Sequence, residues 1–433
     1  MPSPHQPNDI HIAIVGGGLG GLSLAIGLQS RGIPFHIYEG AAQFSEIGAG
    51  VVFGANAIRA LGLIDAALLA GFHKHSTMNP AGTWLAYRHG MDHRREGEGE
   101  GGRAGSVFWQ QYDHAASGYV HRARLLDEMV ALLPAGVASF GKKLERVEEA
   151  PAPDRAGVTL FFADGTTATA DAVVGADGIK SVARSYVCGD AVQPRYAGQY
   201  CYRQLFPRDV AVAELGAERA GAMTLECGYG GYIIHYPVED GAFVNMTAVV
   251  NDERPDWWGE TWLEPVGRER MMGDWEGWDP RLVKLVSHVK EPEQRALFDL
   301  QHDESYYRGL VCLLGDSAHA TTPHNGAGAG MAMEDAYVLS NLLGEVKGLE
   351  DLEAAFRAYD KVRRPRSQKL IETSRLTGLT KSFARAGVLD DPVKIRKELD
   401  SRYRWIWNED LEAQLEKAKG SMKNGANLTA SLL

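Results

Sequence analysis

The feature that most constrains the fold is a short apolar strand followed at once by closely spaced glycines. Residues 12–15 are Ile-Ala-Ile-Val, and Gly16, Gly18 and Gly21 then form the pattern G-x-G-x-x-G. A helical pattern and a second apolar strand follow, and that strand ends at Glu39. Strand, glycine turn, helix and strand in this order predict a βαβ unit, and therefore a parallel sheet.

This βαβ unit has the residues that a dinucleotide needs. Gly16 permits a tight turn, Gly18 lets a pyrophosphate approach the backbone, and Gly21 lets the helix pack closely on the strand. Glu39 can accept hydrogen bonds from the adenosine ribose hydroxyls. An acid at this position disfavours a ribose 2′-phosphate, so the pattern predicts FAD or NAD.

A second glycine-rich turn lies far along the chain, after Asp316. It joins an apolar strand predicted at 310–314 to a helix predicted at 331–343, and such a junction presents backbone N–H groups to an anion or a ring. Its candidate contacts are Asp316, Gly328, Ala329 and Gly330. FAD is longer than NAD and needs a second holding site, so the two turns together favour FAD. No cysteine or histidine stands in an evident flavin-linkage context, and we expect the FAD to be non-covalent.

Composition narrows the partners. A net charge of −11 argues against nucleic acid or an anionic membrane, and no apolar run is long enough to cross a bilayer. The polar start of the chain has no apolar segment of a secretory signal, so we expect a cytoplasmic protein. The four cysteines have no metal-like spacing, and no metal site is predicted.

A third turn completes a known set of motifs. Asp177-Gly178 follows an apolar strand, and by itself it could equally be an ordinary Asp-Gly turn. Together with the glycine pattern at 16–21 and with Gly315-Asp316, it resembles the motifs of class A (single-component) FAD-dependent aromatic hydroxylases. Within that family the chain is most similar to salicylate hydroxylase and to the fungal-type polyketide phenol (dearomatising) hydroxylases. The segments that it shares with them are 46–50, 296–299 and 323–329.

The resemblance and the interleaved motifs predict an α/β fold. A Rossmann-like FAD-binding domain is expected to be interleaved with a mostly antiparallel β-sheet substrate domain, followed by C-terminal helices. The predicted divisions are 10–75, 105–190 and 301–375 for the FAD-binding domain, 76–104 and 191–300 for the substrate domain with a flexible loop at 92–105, and 376–433 for the C-terminal helical region and tail.

The resemblance also implies an activity and a set of residues. Members use NADH or NADPH and O₂ to hydroxylate a phenol through a flavin C4a-hydroperoxide. Arg203 and Tyr236 match positions that hold the substrate phenolate, and His324 follows the active-site proline, Pro323. Arg122 matches an arginine that contacts FAD.

Several alternatives stay open. Neighbouring strand residues face opposite ways, so either Tyr202 or Arg203 faces the flavin, and either His235 or Tyr236. His324 could make a purely structural hydrogen bond. Salicylate hydroxylases more often have Phe at position 236, so the substrate is either a salicylate-like or a polyketide-like phenol. A flavin-dependent reductase or dehydrogenase that does not use O₂, or a non-catalytic flavin-binding module, is the alternative function. The choice between NADH and NADPH, and between monomer and homodimer, is not determined.

Overall fold

The structure, a computed structural model, describes residues 10–44, 50–78, 85–92, 102–112, 117–150 and 157–430. The strands are β1 Ile12–Val15, β2 Phe35–Tyr38, β3 Gly50–Phe53, β4 Ser76–Met78, β5 Leu85–His89, β6 Val107–Gln111, β7 Gly118–His121, β8 Ala138–Ser139, β9 Leu144–Ala150, β10 Gly157–Phe162, β11 Thr167–Ala170, β12 Ala172–Gly175, β13 Arg195–Pro207, β14 Thr224–Gly228, β15 Gly231–Val238, β16 Phe243–Asn251, β17 Leu263–Pro265, β18 Glu293–Asp299, β19 Tyr307–Arg308 and β20 Val311–Leu313. The helices are α1 Leu19–Gln29, α2 Ala55–Ile64, α3 Ala66–His75, α4 Arg122–Ala131, α5 Val182–Cys188, α6 Arg208–Leu215, α7 Ala217–Ala220, α8 Arg268–Gly273, α9 Pro280–Ser287, α10 Asp316–His319, α11 Gly328–Leu343, α12 Leu352–Lys381, α13 Pro392–Trp407 and α14 Leu411–Ala430.

The first sheet contains the predicted βαβ unit. Its strand order is β19-β20-β12-β1-β2-β8, and β1 runs parallel to both β12 and β2. All four residues of β1 are apolar and buried, as expected for a parallel strand covered on both faces. Helix α1 packs closely on α11, where Gly27 faces Ser340. The predicted α/β class is confirmed.

The second layer is a larger, mostly antiparallel sheet with the order β17-β18-β13-β16-β15-β14-β5-β6. Its neighbours pair antiparallel except for β14 and β5, which are parallel. One face carries Tyr200, Tyr202 and Met246 and packs on a cluster that includes Trp275. The opposite face looks toward the first layer and lines a cavity. The sheet thus confirms the antiparallel arrangement predicted for 191–300.

One predicted boundary differs from the structure. We expected residues from 105 onward to rejoin the FAD-binding domain, but β6 pairs antiparallel with β5 at the edge of the larger sheet. The physical reason is that β6 buries Trp109 against Tyr87 of β5, with ring centroids 4.5 Å apart. The predicted loop at 92–105 is described only at its ends, since 93–101 lie outside the described residues. The other domain divisions stay predictions.

The C-terminal helices connect the two layers. Helix α12 ends at Lys381, where the helical pattern of the sequence also ends. Apolar residues of α13 pack with the cavity side of the larger sheet, whereas those of α14 join the core of the first layer. In the described part of the chain, no helix is both long and apolar enough to cross a bilayer, and no cluster of three or more His, Cys, Asp or Glu residues is placed to hold a metal ion.

Candidate active site

A cavity of about 370 Å³ lies between the two layers. Ten of the residues predicted from the sequence line it: Gly18, Arg122, Gly178, Arg203, Tyr236, Asp316, Pro323, His324, Gly328 and Ala329. The other five do not line it, and each supports its wall from behind: Gly16, Gly21, Glu39, Asp177 and Gly330. The fold therefore brings residues more than three hundred positions apart to one site.

The glycines of the first turn have different roles. Gly16 has φ +105°, and a Cβ atom there would lie 2.3 Å from the carbonyl oxygen of Ala176. A Cβ atom at Gly21 would lie 2.1 Å from the carbonyl oxygen of Gly16. A Cβ atom at Gly18 would meet no protein atom within 4 Å. Gly16 and Gly21 are thus required for packing, whereas Gly18 leaves open space on the cavity side.

Glu39 holds the same turn from the end of β2. One carboxylate oxygen accepts a hydrogen bond from the N–H of Gly17 at 2.6 Å, and the other accepts from the N–H of Ala41 at 2.7 Å. The side chain is half-buried beside the glycine turn. A carboxylate with lone pairs in this position can also accept hydrogen bonds from a ribose.

Asp177 lies in the turn before helix α5, and its carboxylate bonds to the first N–H groups of that helix. Its buried carboxylate accepts hydrogen bonds from the N–H groups of Val182 at 2.8 Å and Ala183 at 3.1 Å, and from the hydroxyl of Ser181. Burial raises the pKa of Asp177, and these hydrogen bonds oppose that rise. The neighbouring Gly178, with φ +76°, is therefore presented to the cavity by a fixed helix start.

Asp316 opens α10 directly after β20. The preceding Gly315 has φ +67°, and its N–H donates to the carboxylate of Asp335 at 3.1 Å. His319 also bonds to Asp335, at 2.5 Å. Burial alone would raise the pKa of Asp335, but His319 and Arg363 outweigh burial and hold it at about 2. This anchor leaves the carboxylate of Asp316 itself exposed to the cavity.

Helix α11 points its N-terminus into the cavity. The residue before it, Ala327, has no side chain that could cap the first N–H groups, and Gly328 and Ala329 line the cavity there. Gly330 faces the other way, since a Cβ atom there would lie 2.8 Å from Ala57. Free N–H groups at a helix start favour a negative or electron-rich ligand.

Taken together, this half of the cavity fits an FAD. It offers an open glycine turn, an uncapped helix start and the carboxylate of Asp316 around one space. Arg122, the first residue of α4, adds a cation on the same wall.

The other half of the cavity is a face of the larger sheet. Arg203 on β13 is paired with Thr247 on β16, which is paired with Ile234 on β15. All three residues line the cavity, as do Tyr236 and Asn245 one step further along the same strands. Of the two pairs of neighbouring residues, Arg203 and Tyr236 are therefore the members whose side chains face the cavity.

The two neighbouring residues face away from the cavity and are bonded elsewhere. Tyr202 donates its hydroxyl to Asp274 at 2.7 Å, and His235 lies 3.3 Å from a carboxylate oxygen of Glu226. Both are buried on the opposite face of the sheet. Strand alternation alone accounts for this separation.

Tyr236 is fixed by a backbone acceptor. Its hydroxyl donates to the carbonyl oxygen of Gly50 at 3.0 Å, and the side chain is buried. Burial raises the pKa of Tyr236 to about 12, although the guanidinium of Arg203 opposes that rise. The tyrosine is therefore neutral at physiological pH, and its oxygen can still accept a hydrogen bond from a ligand.

His324 is held on both sides of its ring. Its Nδ1 atom is hydrogen-bonded to the hydroxyl of Tyr232 at 2.7 Å, and its Nε2 atom packs against Gly378, where a Cβ atom would lie 2.7 Å away. Burial, with a smaller effect of Lys381, lowers the pKa of His324 to about 3. This geometry favours the structural hydrogen bond over proton transfer, and a catalytic role for His324 stays a prediction.

Known proteins are similar to this chain over most of its length. A family model described as an FAD binding domain matches residues 208–374. The chain is 40% identical over 415 residues to 6-methylsalicylate 1-monooxygenase from Aspergillus terreus, which covers 94% of this chain and 91% of that protein. It is 34% identical over 432 residues to salicylate hydroxylase from Pseudomonas putida, covering 95% of each chain. The chain belongs to the FAD-dependent monooxygenases.

A solved structure of a related monooxygenase extends the likeness to the whole fold. The structure of a salicylate hydroxylase substrate complex superposes with a TM-score of 0.82 at 31% identity, covering 95% of this chain and 98% of that one. The monooxygenase fold predicted from the three motifs is confirmed.

Several cavity residues of this monooxygenase were missed by sequence reasoning. They are Met223, Tyr232, Asn245, Thr247, Lys381 and Tyr403. No motif marks them, because each comes from an ordinary strand or helix and only the packing of the layers brings it to the cavity. For Lys381 one signal exists: it ends a long helix immediately after residues 377–380, which contain no carboxylate that could pair with it.

Proposed function

We propose that the protein hydroxylates a small phenolic aromatic compound, using FAD, NADH or NADPH, and O₂. The observation that carries this proposal is the shared cavity, in which the cofactor motifs and the pair Arg203 and Tyr236 line the same space. Two relatives are named for salicylate and 6-methylsalicylate, and these names support a salicylate-like ring over a larger polyketide-like one.

The cofactor half would hold FAD through contacts that the backbone supplies. Gly18 and the start of α11 offer the approach for the phosphates and the ring, and Glu39 and Asp316 offer acceptors for hydroxyl groups. When bound and reduced, FAD supplies the activation of O₂ that no amino-acid side chain provides. The four cysteines are absent from the cavity wall in the described residues, which supports non-covalent binding.

The sheet half would hold and polarise the phenol. A guanidinium beside the phenol oxygen favours the phenolate, and a phenolate ring is much more nucleophilic than a phenol. Arg203 supplies that cation, while Tyr236 and Asn245 next to it supply hydrogen-bonding groups at fixed positions. The apolar side chains of Leu85, Met223 and Ile234 line the same wall and exclude water from the ring.

The sequence contains no second βαβ glycine motif that could bind a nicotinamide nucleotide. We therefore infer that NADH or NADPH is a transient co-substrate. The choice between the two is left to experiment.

A screen of phenols on the purified, yellow holoenzyme tests the function. Consumption of NADH and of NADPH is followed with O₂ uptake, and products are weighed by mass spectrometry. The proposal expects a phenol to stimulate both O₂ uptake and the oxidation of NADH or NADPH. The phenol itself should gain one oxygen atom. Nucleotide oxidation without O₂ uptake would instead establish a dehydrogenase or reductase. A flavin that no phenol and no nucleotide affects would establish a binding module.

A further inference from the structure

The cavity contains a second cation that none of the cofactor motifs explains. Lys381, the last residue of α12, lines the cavity and is only 2% exposed. Its ammonium group donates to the carbonyl oxygen of His324 at 2.6 Å and lies 5.4 Å from the ring centroid of Tyr232. Because His324 and Tyr232 are bonded to each other, the lysine is held at a defined place on the wall.

No carboxylate compensates the charge of Lys381 among the described residues. The groups that face it are the hydroxyl of Tyr232, the backbone at His324, the thiol of Cys227 and the guanidinium of Arg402. Burial lowers the pKa of Lys381 to about 7; Arg402 lowers it further, and Cys227 opposes the shift. A buried ammonium without a counter-charge is costly, so its protonated form is favoured when an anion arrives.

A second buried cation on the same helix provides the contrast. Arg363 is fully buried, but it pairs with Glu334 and with Asp335, each at 2.7 Å. Every charge of that cluster is matched within the protein, and it holds α11 and α12 together. Lys381 has no such partner among the residues that the structure describes, so an anionic ligand in the cavity could supply its counter-charge.

Lys381 and Arg203 stand at different places along the cavity wall. Arg203 belongs to β13, two strands away from β15, which carries Tyr232 beneath Lys381. Neighbouring strands in a sheet are about 4.8 Å apart, so the strand that carries Arg203 runs roughly 10 Å from the strand that carries Tyr232. A phenolic ring with an anionic substituent can offer one oxygen to each cation.

We propose that Lys381 is a specificity residue that binds a carboxylate on the phenolic substrate, while Arg203 faces the phenol oxygen. The proposal rests on the proposed function and narrows its substrate to a hydroxybenzoate. Binding the carboxylate stabilises the ammonium form, so a hydroxybenzoate takes up a proton from solution as it binds. A neutral phenol of the same size does not stabilise the ammonium form of Lys381 and causes no proton uptake there.

The test compares 2-hydroxybenzoate with its neutral isostere 2-hydroxybenzamide, both titrated into the holoenzyme. Calorimetry at pH 8 in buffers of different ionisation enthalpy measures affinity and proton uptake. Wild-type protein is expected to take up about one proton more with the acid than with the amide, since most Lys381 is neutral at this pH and any proton that the phenol releases beside Arg203 is common to both ligands. Lys381→Met is expected to lose that uptake and to weaken acid binding by about 10- to 100-fold, with little change for the amide.

Matched variants separate binding from folding. Lys361→Met changes an exposed lysine of the same helix, whose ammonium bonds to Ser421, and it is expected to behave as wild type. Lys381→Arg keeps the charge and is expected to recover part of the preference for the acid. Flavin content and melting temperature are measured for each variant. If Lys381→Met does not fold, the difference in proton uptake between the acid and the amide on wild-type protein decides the question.

The outcomes keep the two proposals apart. Equal proton uptake by wild-type protein with the acid and with the amide, or an unchanged acid-to-amide affinity ratio in a folded Lys381→Met variant, overturns the role of Lys381 even if phenols stimulate turnover. Lysine-dependent binding and proton uptake without any phenol-stimulated O₂ uptake supports the site and overturns the proposed reaction.

Discussion

The two halves of the cavity are built from different parts of the polypeptide. The cofactor half consists largely of backbone: an open glycine turn at Gly18, a helix start at Gly328, and a carboxylate held by the turn before it. The sheet half consists of side chains, Arg203 and Tyr236 from the strands and Lys381 from α12. Backbone contacts restrict the sequence to residues without Cβ atoms, and the restriction is visible as a motif. Side-chain contacts leave no such pattern.

The largest effect is expected where a Cβ atom would strike backbone. In Gly21→Ala the new atom would lie 2.1 Å from the carbonyl oxygen of Gly16, and neither group can rotate away. Overpacking of this kind costs about 1–3 kcal/mol or more, so we expect loss of bound FAD, of all turnover, and a lower melting temperature. Flavin absorbance and thermal unfolding measure this. Gly420→Ala, at an exposed position of α14 with open space around it, is the control and should retain FAD. Full flavin content in Gly21→Ala would contradict the packing role.

The same difference explains how far the sequence predicts this molecule. Strands β1 and β2 begin and end where the apolar pattern does, because both are flanked by turn residues and buried on their inner faces. The predicted return to the FAD-binding domain at residue 105 differs from the structure, because the pattern of a single strand does not identify the strand with which it pairs. The place of Lys381 in the cavity was not predicted, because it follows only from how α12 packs against the sheet.

The second prediction concerns the sheet half alone. Arg203→Ala removes one preorganised cation next to the phenol oxygen, which typically costs about 2.7–4 kcal/mol, or roughly a hundred- to a thousandfold in rate. FAD content should not change, because Arg203 lies on the sheet half of the cavity and belongs to none of the cofactor motifs. Arg195→Ala, an exposed arginine of the same strand, is the control. Stopped-flow measurement of oxygen transfer, with H₂O₂ assayed alongside, tests this, and wild-type rates and coupling in Arg203→Ala would exclude the role. Tyr236→Phe should have a smaller effect, because the hydroxyl already donates to Gly50.

In the cofactor half, Glu39 is a position where a side chain rather than the backbone is expected to contact FAD. Glu39→Ala removes the acceptor for Gly17 and Ala41 and for the expected ribose hydroxyl. Hydrogen bonds to a charged group contribute about 1.5–3 kcal/mol, so FAD affinity should fall by about tenfold or more. Titration of the apo-protein with FAD measures the change, and Glu145→Ala provides an exposed acid of the same layer as control. At saturating FAD, turnover should return to the wild-type value. A defect that persists there would mean that Glu39 also affects the substrate half.

The smallest expected effect is a pH dependence of folding stability that comes from His324 in the sheet half. Burial, and to a lesser degree Lys381, holds the pKa of His324 at about 3 in the folded protein, against about 6.5 in the unfolded chain. Between these values the unfolded chain binds the extra proton, so this histidine makes the folded state less stable as pH falls from 6.5 toward 3, by at most about 1.4 kcal/mol per pH unit. His324→Gln keeps a polar partner for Tyr232 but does not titrate. At pH 7 the variant should be less stable than wild type, and the difference in melting temperature should narrow between pH 6.5 and 4.5. If the difference instead stays constant across that range, His324 is protonated in the folded protein, and proton transfer by this histidine becomes the better account of its place beside the ring.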